Sequence, residues 1–103
     1  MDNVKEVTPE EVEEIIENNK DTIVIDVRED EEVETGMIGS AEHIPMQQIP
    51  QEVENLDKEK EYILVCRSGA RSMNVALYMK EQGFKVSNMV GGMLDWTGEV
   101  ITK

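Results

Sequence analysis

The fold is decided by one stretch in the second half of the chain, Tyr62-Ile63-Leu64-Val65-Cys66-Arg67-Ser68-Gly69-Ala70-Arg71-Ser72. Its first four residues form a continuous apolar run, which is typical of a strand buried on both faces of a parallel sheet. The residues after Cys66 are small or polar, and a helix is predicted over 73–82. A buried strand, a short polar loop and a helix, in that order, predict an α/β unit with its loop at the carboxyl end of the strand.

Similar patterns on both sides of this stretch extend the prediction to the whole chain. A continuous β-branched run at Ile23-Val24-Ile25 predicts a second inner strand, 86–90 is predicted as a third, and 4–7 is a shorter candidate. Strands that alternate with helices form mostly parallel sheets with helices on both faces. We therefore predict a single α/β domain over 1–103, a length at which one hydrophobic core is expected.

Helices are predicted between the strands. Thr8 can cap the first helix, Pro9 suits its first turn, and Glu11 can complete a capping box. Residues 75–79 are apolar almost all round, which predicts that the helix over 73–82 is covered on both sides. Further short helices are predicted at 29–34, 47–56 and 93–96, whereas Gly36, Gly39 and Pro45 mark an irregular stretch.

The composition excludes several classes of partner. The chain has 103 residues and a formal net charge of -13, which argues against nucleic acid and against an anionic membrane surface, because both need a basic protein surface. The charge is uneven: residues 1–61 carry 20 acidic and 5 basic side chains, and 62–103 carry 3 and 5. The sequence therefore predicts a local basic spot on an acidic body. We expect a monomer, with a weak dimer as the alternative.

Cysteine usage indicates the compartment. Cys66 is the only cysteine, so no intrachain disulfide can form. Residues 1–6 lack the basic and apolar regions of a signal peptide, and no apolar run is long enough to span a membrane. We therefore expect a cytoplasmic protein.

The sequence shows no cluster of metal-ligating side chains, and no metal or cofactor is expected.

Cys66 lies where α/β sheets place their functional groups, just beyond the carboxyl end of a predicted strand. Gly69 allows a tight turn with positive φ, and the amides of the loop can then point inward around an anion. That anion would be the Cys66 thiolate, whose pKa a helix N-terminus and the neighbouring Arg67 and Arg71 would lower. Cys66 is therefore predicted to be a nucleophile that needs no histidine, and the alternative is a small buried cysteine in the core. The loop is completed by Ser68, Ala70 and Ser72.

The charged residues around the loop predict an anionic substrate. Arg67 and Arg71 would bind it at the mouth, because an Arg at ~4 Å contributes on the order of 1–4 kcal/mol while the acidic body is screened beyond about 8 Å. Asp26 and Arg28 follow a predicted strand and are expected to brace the sheet end and the loop by hydrogen bonds. His43 is expected to contact backbone or form part of a wall rather than act as a base.

The spacing within the loop separates two chemistries. Tyrosine-phosphatase-type loops carry five residues between Cys and Arg, whereas Arg71 follows Cys66 one position earlier. No Asp motif for a general acid is evident. The smaller loop favours attack on sulfur over hydrolysis of a phosphate ester.

The loop is similar to the six-residue active-site loop of the rhodanese family, Cys66-Arg67-Ser68-Gly69-Ala70-Arg71. Further motifs follow the family order along nearly the whole chain: Ile25-Asp26-Val27-Arg28 with Glu32, then Gly36, Ile38, Ala41, Ile44 and Pro45, then Gly91-Gly92 with Trp96. The chain departs from the family at Met37, where His is usual, at Ser40, where Gly is usual, and at His43, where Asn is common. These three positions are expected to shape the wall of the site and so to affect substrate fit.

The resemblance implies a rhodanese-like fold with a central, mostly parallel five-stranded sheet, and an activity as a thiosulfate sulfurtransferase. In that activity Cys66 takes a sulfane sulfur from a donor such as thiosulfate, becomes a persulfide, and passes the sulfur to cyanide or a cellular thiol. Arg67 and Arg71 would bind the small anionic donor. Because the chain has no second cysteine, the acceptor thiol must come from outside, for example from a thioredoxin-like protein.

Two other functions fit the same residues. The loop could hold a persulfide for a dedicated protein partner, as a carrier or sensor with little turnover of small molecules, and the acidic surface would steer that partner. A rhodanese-like interaction domain without catalysis is the second alternative. The retained Cys66 and Arg71 argue against it.

Overall fold

The structure, a computed structural model, describes residues 4–18 and 21–102. Its strands are β1 (Lys5–Val7), β2 (Thr22–Asp26), β3 (Glu42–His43), β4 (Glu61–Val65) and β5 (Lys85–Met89). They form one sheet in the order β1-β5-β4-β2-β3, and each neighbouring pair is parallel. The predicted mostly parallel, five-stranded sheet is confirmed.

Helices and short turns connect the strands. The helices are α1 (Pro9–Asn18), α2 (Asp30–Val33), α3 (Ile49–Glu52) and α4 (Ala70–Glu81), and 3₁₀ turns occupy Met46–Gln48, Val53–Asn55 and Gly92–Asp95. The segment predicted as one helix over 47–56 is therefore three short pieces. Pro50 explains the break, because proline is accepted only in the first turn of a helix and a new helix begins beside it at Ile49.

Side chains of the central strand β4 alternate between two apolar cores. Tyr62 and Leu64 pack on the side of α3 and α4, whereas Ile63 and Val65 pack on the side of α1. This alternation is the period of two that a strand imposes on its side chains. Cys66 continues it and lies on the α4 side, fully buried. The strand therefore decides which face of the sheet receives the cysteine.

The helix α4 differs from the prediction at its start and on its outer face. It begins at Ala70 rather than at residue 73, because Gly69 has a φ of 101° and turns the chain directly into the helix. The prediction that this helix is covered on both sides is wrong. Leu77 is 38% exposed, because α4 buries only one stripe against the sheet and no element covers the other side within the part of the chain that the structure describes.

Capping hydrogen bonds are formed at the start of α1 and at the end of α4. At α1 the Thr8 amide donates to Glu11 Oε1 at 2.8 Å and the Glu11 amide donates to Thr8 Oγ1 at 3.1 Å, which confirms the capping box. At the end of α4 the Phe84 amide donates to the Met79 carbonyl at 3.1 Å, and Gly83 has a φ of 99°. This is the geometry of a Schellman cap.

The stretch that was predicted to be irregular contains the edge strand β3. Its two residues pair with the end of β2, with Glu42 beside Ile25 and His43 beside Asp26. A strand of two residues leaves no alternation in the sequence, so a pattern could not show it. Among the helices in the described residues, none is both long and apolar enough to cross a membrane. The expectation about a signal peptide rests partly on residues 1–3, which lie outside the described residues.

Candidate active site

The candidate site is the turn between β4 and α4. Cys66 follows the last residue of β4, and the next three residues turn the chain into the helix at Ala70. At Gly69 a positive φ of 101° makes the turn possible, and a Cβ there would lie 3.3 Å from the Gly91 amide nitrogen. Cys66 is therefore held at the carboxyl end of a central strand and beside the first turn of a helix.

Backbone and side-chain donors converge on the Cys66 sulfur. The Gly69 amide lies 3.0 Å from Sγ, the Ser72 amide 3.4 Å and the Ser72 hydroxyl oxygen 3.3 Å. Ser72 is the third residue of α4, so its amide is one of the first-turn groups that have no partner inside the helix. The sulfur accepts the bonds that a capping side chain would otherwise accept.

These donors set the acidity of the thiol. Burial raises the pKa of Cys66, but hydrogen bonds from the Ser72 hydroxyl and from the amides of Ser72, Gly69 and Ser68 outweigh burial and lower the pKa below that of an ordinary cysteine. The arrangement can therefore stabilise a negative charge on sulfur without a histidine.

The glycine pair after β5 packs against the back of the cysteine turn. The Met93 amide donates to the Cys66 carbonyl at 2.8 Å, and the Leu94 amide donates to the Arg67 carbonyl at 3.0 Å. A Cβ on Gly92 would lie 2.4 Å from the Cys66 carbonyl oxygen, so no larger residue fits there. Gly92 therefore lets the backbone after β5 approach the Cys66 turn closely.

Arg71 is bound by a carboxylate. Its Nη1 and Nη2 each lie 2.8 Å from an oxygen of Glu32, on α2. Hydrogen bonds from Arg71 hold the pKa of Glu32 at about 2, and Glu32 in turn raises the pKa of Arg71. Two of the Arg71 nitrogens are thus occupied and its charge is partly balanced. The sequence predicted Arg71 as a binding group for an anion but not this partner, although Glu32 belongs to one of the motifs.

Arg67 points to solvent beside an open cleft. Within the described ranges, its side chain forms no hydrogen bond or ion pair, and it is exposed. The cleft has a volume of about 580 Å³, and its lining includes Arg67, Met93, Leu94, Trp96, Glu31, Glu32 and Arg28. Arg67 is therefore the basic side chain of the loop that is available to a ligand in this cleft.

Asp26 and Arg28 brace the end of the sheet by hydrogen bonds, which confirms one half of the expectation. The other half, bracing of the loop, is not found: among the described residues neither side chain has a hydrogen bond to the Cys66 turn. Arg28 Nη2 lies 2.8 Å from Asp26 Oδ2 and 2.7 Å from the Gly36 carbonyl oxygen, and both Asp26 and Arg28 are buried. Asp26 pairs in register with Val65, one residue before Cys66. His43 Nε2 donates to the Arg28 carbonyl at 2.7 Å, which confirms the expected backbone contact of His43.

The expectation that Met37, Ser40 and His43 shape the wall of the site is not supported by their positions. Met37 is buried, and its backbone pairs with Ile101. Ser40 lines a separate surface depression on the α1 side. His43 contacts Arg28 rather than the cysteine turn. The resemblance implied a shared wall, whereas none of the three residues lines the cleft beside Arg67.

One residue of the site was missed by the sequence analysis. Asn88 is buried on β5, and its side chain contacts Gly69 and Ser72. The prediction of an inner strand at 86–90 gave Asn88 no role; a polar residue inside a buried strand was the available signal. Among the described residues, no group of three or more His, Cys, Asp and Glu side chains is placed to hold a metal ion.

Comparisons with known proteins agree with this geometry. A family model described as a rhodanese-like domain matches residues 8–99. The chain is 53% identical over 100 residues to "Putative sulfurtransferase YtwF" of Bacillus subtilis (strain 168), covering 97% of each protein. It is 37% identical over 97 residues to "Putative sulfur carrier protein YrkF" of the same organism, covering 93% of this chain and 52% of that protein.

A solved structure shows the same fold. The rhodanese-like domain protein from Staphylococcus aureus has a TM-score of 0.90 to this chain at 35% identity, with 97% of this chain and 99% of that chain covered. The names of the relatives support sulfur transfer as the general chemistry. The family match, the identity and the shared fold together show that the chain belongs to the rhodanese family.

Proposed function

We propose that this chain is a thiosulfate sulfurtransferase that carries the transferred sulfur as a persulfide on Cys66. The observation that carries the proposal is the convergence of donors on one sulfur atom, with the Gly69 amide at 3.0 Å and the Ser72 amide at 3.4 Å. Such donors stabilise an anionic sulfur in either form, thiolate or persulfide. Covalent catalysis on an activated thiolate needs this stabilisation.

In the first step the Cys66 thiolate attacks the outer sulfur of thiosulfate. A sulfur–sulfur bond forms at Cys66, the sulfur–sulfur bond of thiosulfate breaks, and sulfite leaves with the electron pair of that bond. The charge then rests on the terminal sulfur of the persulfide, near the loop amides. Arg67 would receive the donor from the cleft, and Arg71 would add the guanidinium N–H groups that Glu32 leaves unused.

In the second step a thiophilic acceptor removes the terminal sulfur. Cyanide would attack it and leave as thiocyanate, which returns Cys66 to the thiolate. A thiolate acceptor would do the same and would itself become a persulfide. Because Cys66 is the only cysteine, that thiol must belong to a small molecule or to another protein, such as a thioredoxin-like protein.

The mass of the intact protein tests the proposal. Wild type and Cys66→Ser are incubated with thiosulfate and measured before and after a reductant is added. We expect wild type alone to gain the mass of one sulfur atom and to lose it on reduction. If neither protein gains mass with thiosulfate or with other sulfane donors, Cys66 does not form a persulfide and the proposal is wrong.

A persulfide carrier for a dedicated partner is the second candidate. It is supported by the name of the relative YrkF and by the net charge of -13, which could steer a basic partner. Steady-state turnover with thiosulfate and cyanide separates the two candidates. Sustained thiocyanate production supports the enzyme, whereas fast single loading followed by almost no turnover supports the carrier.

A further inference from the structure

Asn88 is a buried polar side chain that has no part in the transfer proposed above. It lies on β5 beside Leu64 of β4 and is 2% exposed. Its amide bridges two residues of the cysteine turn, because Nδ2 donates to the Gly69 carbonyl at 3.1 Å and Oδ1 accepts from the Ser72 hydroxyl at 2.5 Å. Gly69 and Ser72 both donate to the Cys66 sulfur. Asn88 is therefore separated from the sulfur by one residue on each path.

The Ser72 hydroxyl has one proton and two acceptors within reach. Asn88 Oδ1 lies 2.5 Å from the hydroxyl oxygen, and Cys66 Sγ lies 3.3 Å from it. An amide oxygen can only accept, and the bond from Nδ2 to Gly69 fixes which end of the amide faces Ser72. The hydroxyl therefore cannot donate to the sulfur without giving up its bond to Asn88.

We propose that Asn88 is a positioning residue that competes with the Cys66 sulfur for the single proton of the Ser72 hydroxyl. While Cys66 is a thiol, the proton stays on the short bond to Asn88. When Cys66 becomes a thiolate, the hydroxyl rotates and donates to the sulfur, and Asn88 Oδ1 loses its donor. The stabilisation that the Ser72 hydroxyl gives to the Cys66 thiolate is thus reduced by the loss of its hydrogen bond to Asn88.

The competition affects both steps of the proposed sulfur transfer, and its role in catalysis rests on that proposed function. Cys66 must be a thiolate to attack the donor, and it leaves as a thiolate when the acceptor takes the sulfur. The Ser72 hydroxyl turns its O–H from Asn88 Oδ1 to Sγ, so its hydrogen bond reaches the sulfur when the negative charge appears there. Asn88 therefore adjusts how strongly the nucleophile is activated without touching the substrate.

The charged groups near Cys66 come from other elements and are common to every protein in the test below. They are Arg67 in the turn, Arg71 on α4 with its partner Glu32 on α2, and the pair formed by Asp26 at the end of β2 and Arg28 just after it. Neither Ser72 nor Asn88 carries a charge. Substitutions at these two positions therefore leave the surrounding charges unaltered.

The test is a double-mutant cycle on the ionisation of Cys66. Wild type, Ser72→Ala, Asn88→Leu and the double variant are titrated by the ultraviolet absorbance of the thiolate and by the rate of alkylation with iodoacetamide. Alkylation reports Cys66 alone, because the chain has no other cysteine, and the absorbance of the two tyrosines is subtracted by titrating Cys66→Ser in parallel. The absorbance needs no access to the buried sulfur.

Competition predicts the sign of the coupling. Ser72→Ala should reduce the acid dissociation constant of Cys66 in both backgrounds, and the reduction should be about tenfold larger when Asn88 has been replaced, because the hydroxyl is then free to serve the sulfur alone. An equal or smaller reduction in the Asn88→Leu background overturns the inference. That result would mean that Asn88 only anchors Ser72 or has no effect on it.

Controls separate the inference from folding and from the proposed function. Ser87→Ala, at the half-buried neighbour of Asn88 on β5, should leave the titration unchanged. Thermal unfolding checks each variant, and Asn88→Ala replaces Asn88→Leu if the latter does not fold. The titration uses no sulfur donor, so its result does not depend on the mass experiment described above. If wild type gains no sulfur in that experiment but shows the expected coupling in the titration, the proposed function is contradicted and the inference stands.

Discussion

At the scale of single residues, the Cys66 sulfur occupies the place of a helix cap. Gly69 precedes α4 and has no side chain to cap it, and the Ser72 amide donates to Sγ at 3.4 Å instead. A negative charge at this position is stabilised by the unpaired amides and the dipole of the helix. The geometry that begins α4 is therefore also the geometry that activates the thiol.

The first prediction concerns Gly92. Gly92→Ala should lower the free energy of unfolding by on the order of 2 kcal/mol or more, because its φ of 56° disfavours a side chain and the new Cβ would lie 2.4 Å from the Cys66 carbonyl oxygen. The contact should also displace the cysteine turn and slow persulfide loading. Urea unfolding and the rate of mass gain with thiosulfate measure the two effects.

Gly39→Ala is the matched control for this prediction. Its Cβ would meet only Ile101 Cγ2, at an ordinary 3.5 Å, so its effect on unfolding should stay within about 0.5 kcal/mol. Equal losses in the two variants would show that the approach of Gly92 to Cys66 is not tight in solution.

Single residues also show where sequence reasoning stops. Cys66, its turn and the bracing pair Asp26–Arg28 were predictable, because each follows directly from a strand that the pattern identifies. Asn88 and the ion pair between Arg71 and Glu32 were not. Their partners lie 16 and 39 positions away in sequence, and only the register of β5 and the docking of α2 bring them together.

At the scale of elements, the strength of the apolar pattern decided what could be predicted. β2 and β4 contain continuous apolar runs, at 23–25 and 62–65, and α1 carries a full capping box, whereas β5 mixes apolar residues with Ser87 and Asn88. β3 has two residues and no pattern of its own. The start of α4 was placed late because Ala70, Arg71 and Ser72 look like loop residues, whereas their amides are the first turn of the helix.

The second prediction concerns the contact between α2 and α4. Glu32→Gln should lower the free energy of unfolding by on the order of 1 kcal/mol near neutral pH, because the Arg71–Glu32 pair has two short bonds but is about one quarter to one third exposed. Since Arg71 holds the pKa of Glu32 at about 2, below its ordinary value of 4.5, this contribution is present above pH 4.5 and is lost as the pH falls towards 2. The difference between the two proteins should shrink over that range.

Glu31→Gln is the control for this pH dependence. Glu31 is an exposed neighbour on α2, and its side chain has no hydrogen bond or ion pair within the described part of the chain. Chemical unfolding of wild type and both variants across the acid range compares them directly. A wild-type advantage over Glu32→Gln that persists unchanged to the lowest pH would rule out the ion pair as its source.

At the scale of the whole molecule, two electric fields would act on the anionic donor that we propose. The net charge of -13 repels it at long range, and Arg67 at the cleft attracts it at short range. Salt separates them, because the screening length falls from about 30 Å at 0.01 M to about 10 Å at 0.1 M salt. The long-range repulsion is therefore removed first, while the contact with Arg67 is less affected.

The last prediction follows from this difference in range. Persulfide loading by thiosulfate should become faster as salt rises from about 0.01 M to about 0.1 M, whereas alkylation by the neutral iodoacetamide should hardly change. Arg67→Gln should slow loading at every salt concentration. Lys85→Gln makes the same change in net charge at the opposite end of β5 and should slow it far less. The opposite result is a loading rate that falls with salt in wild type but not in Arg67→Gln. It would mean that salt weakens an attraction to Arg67, so that the positive field of the cleft dominates even at long range.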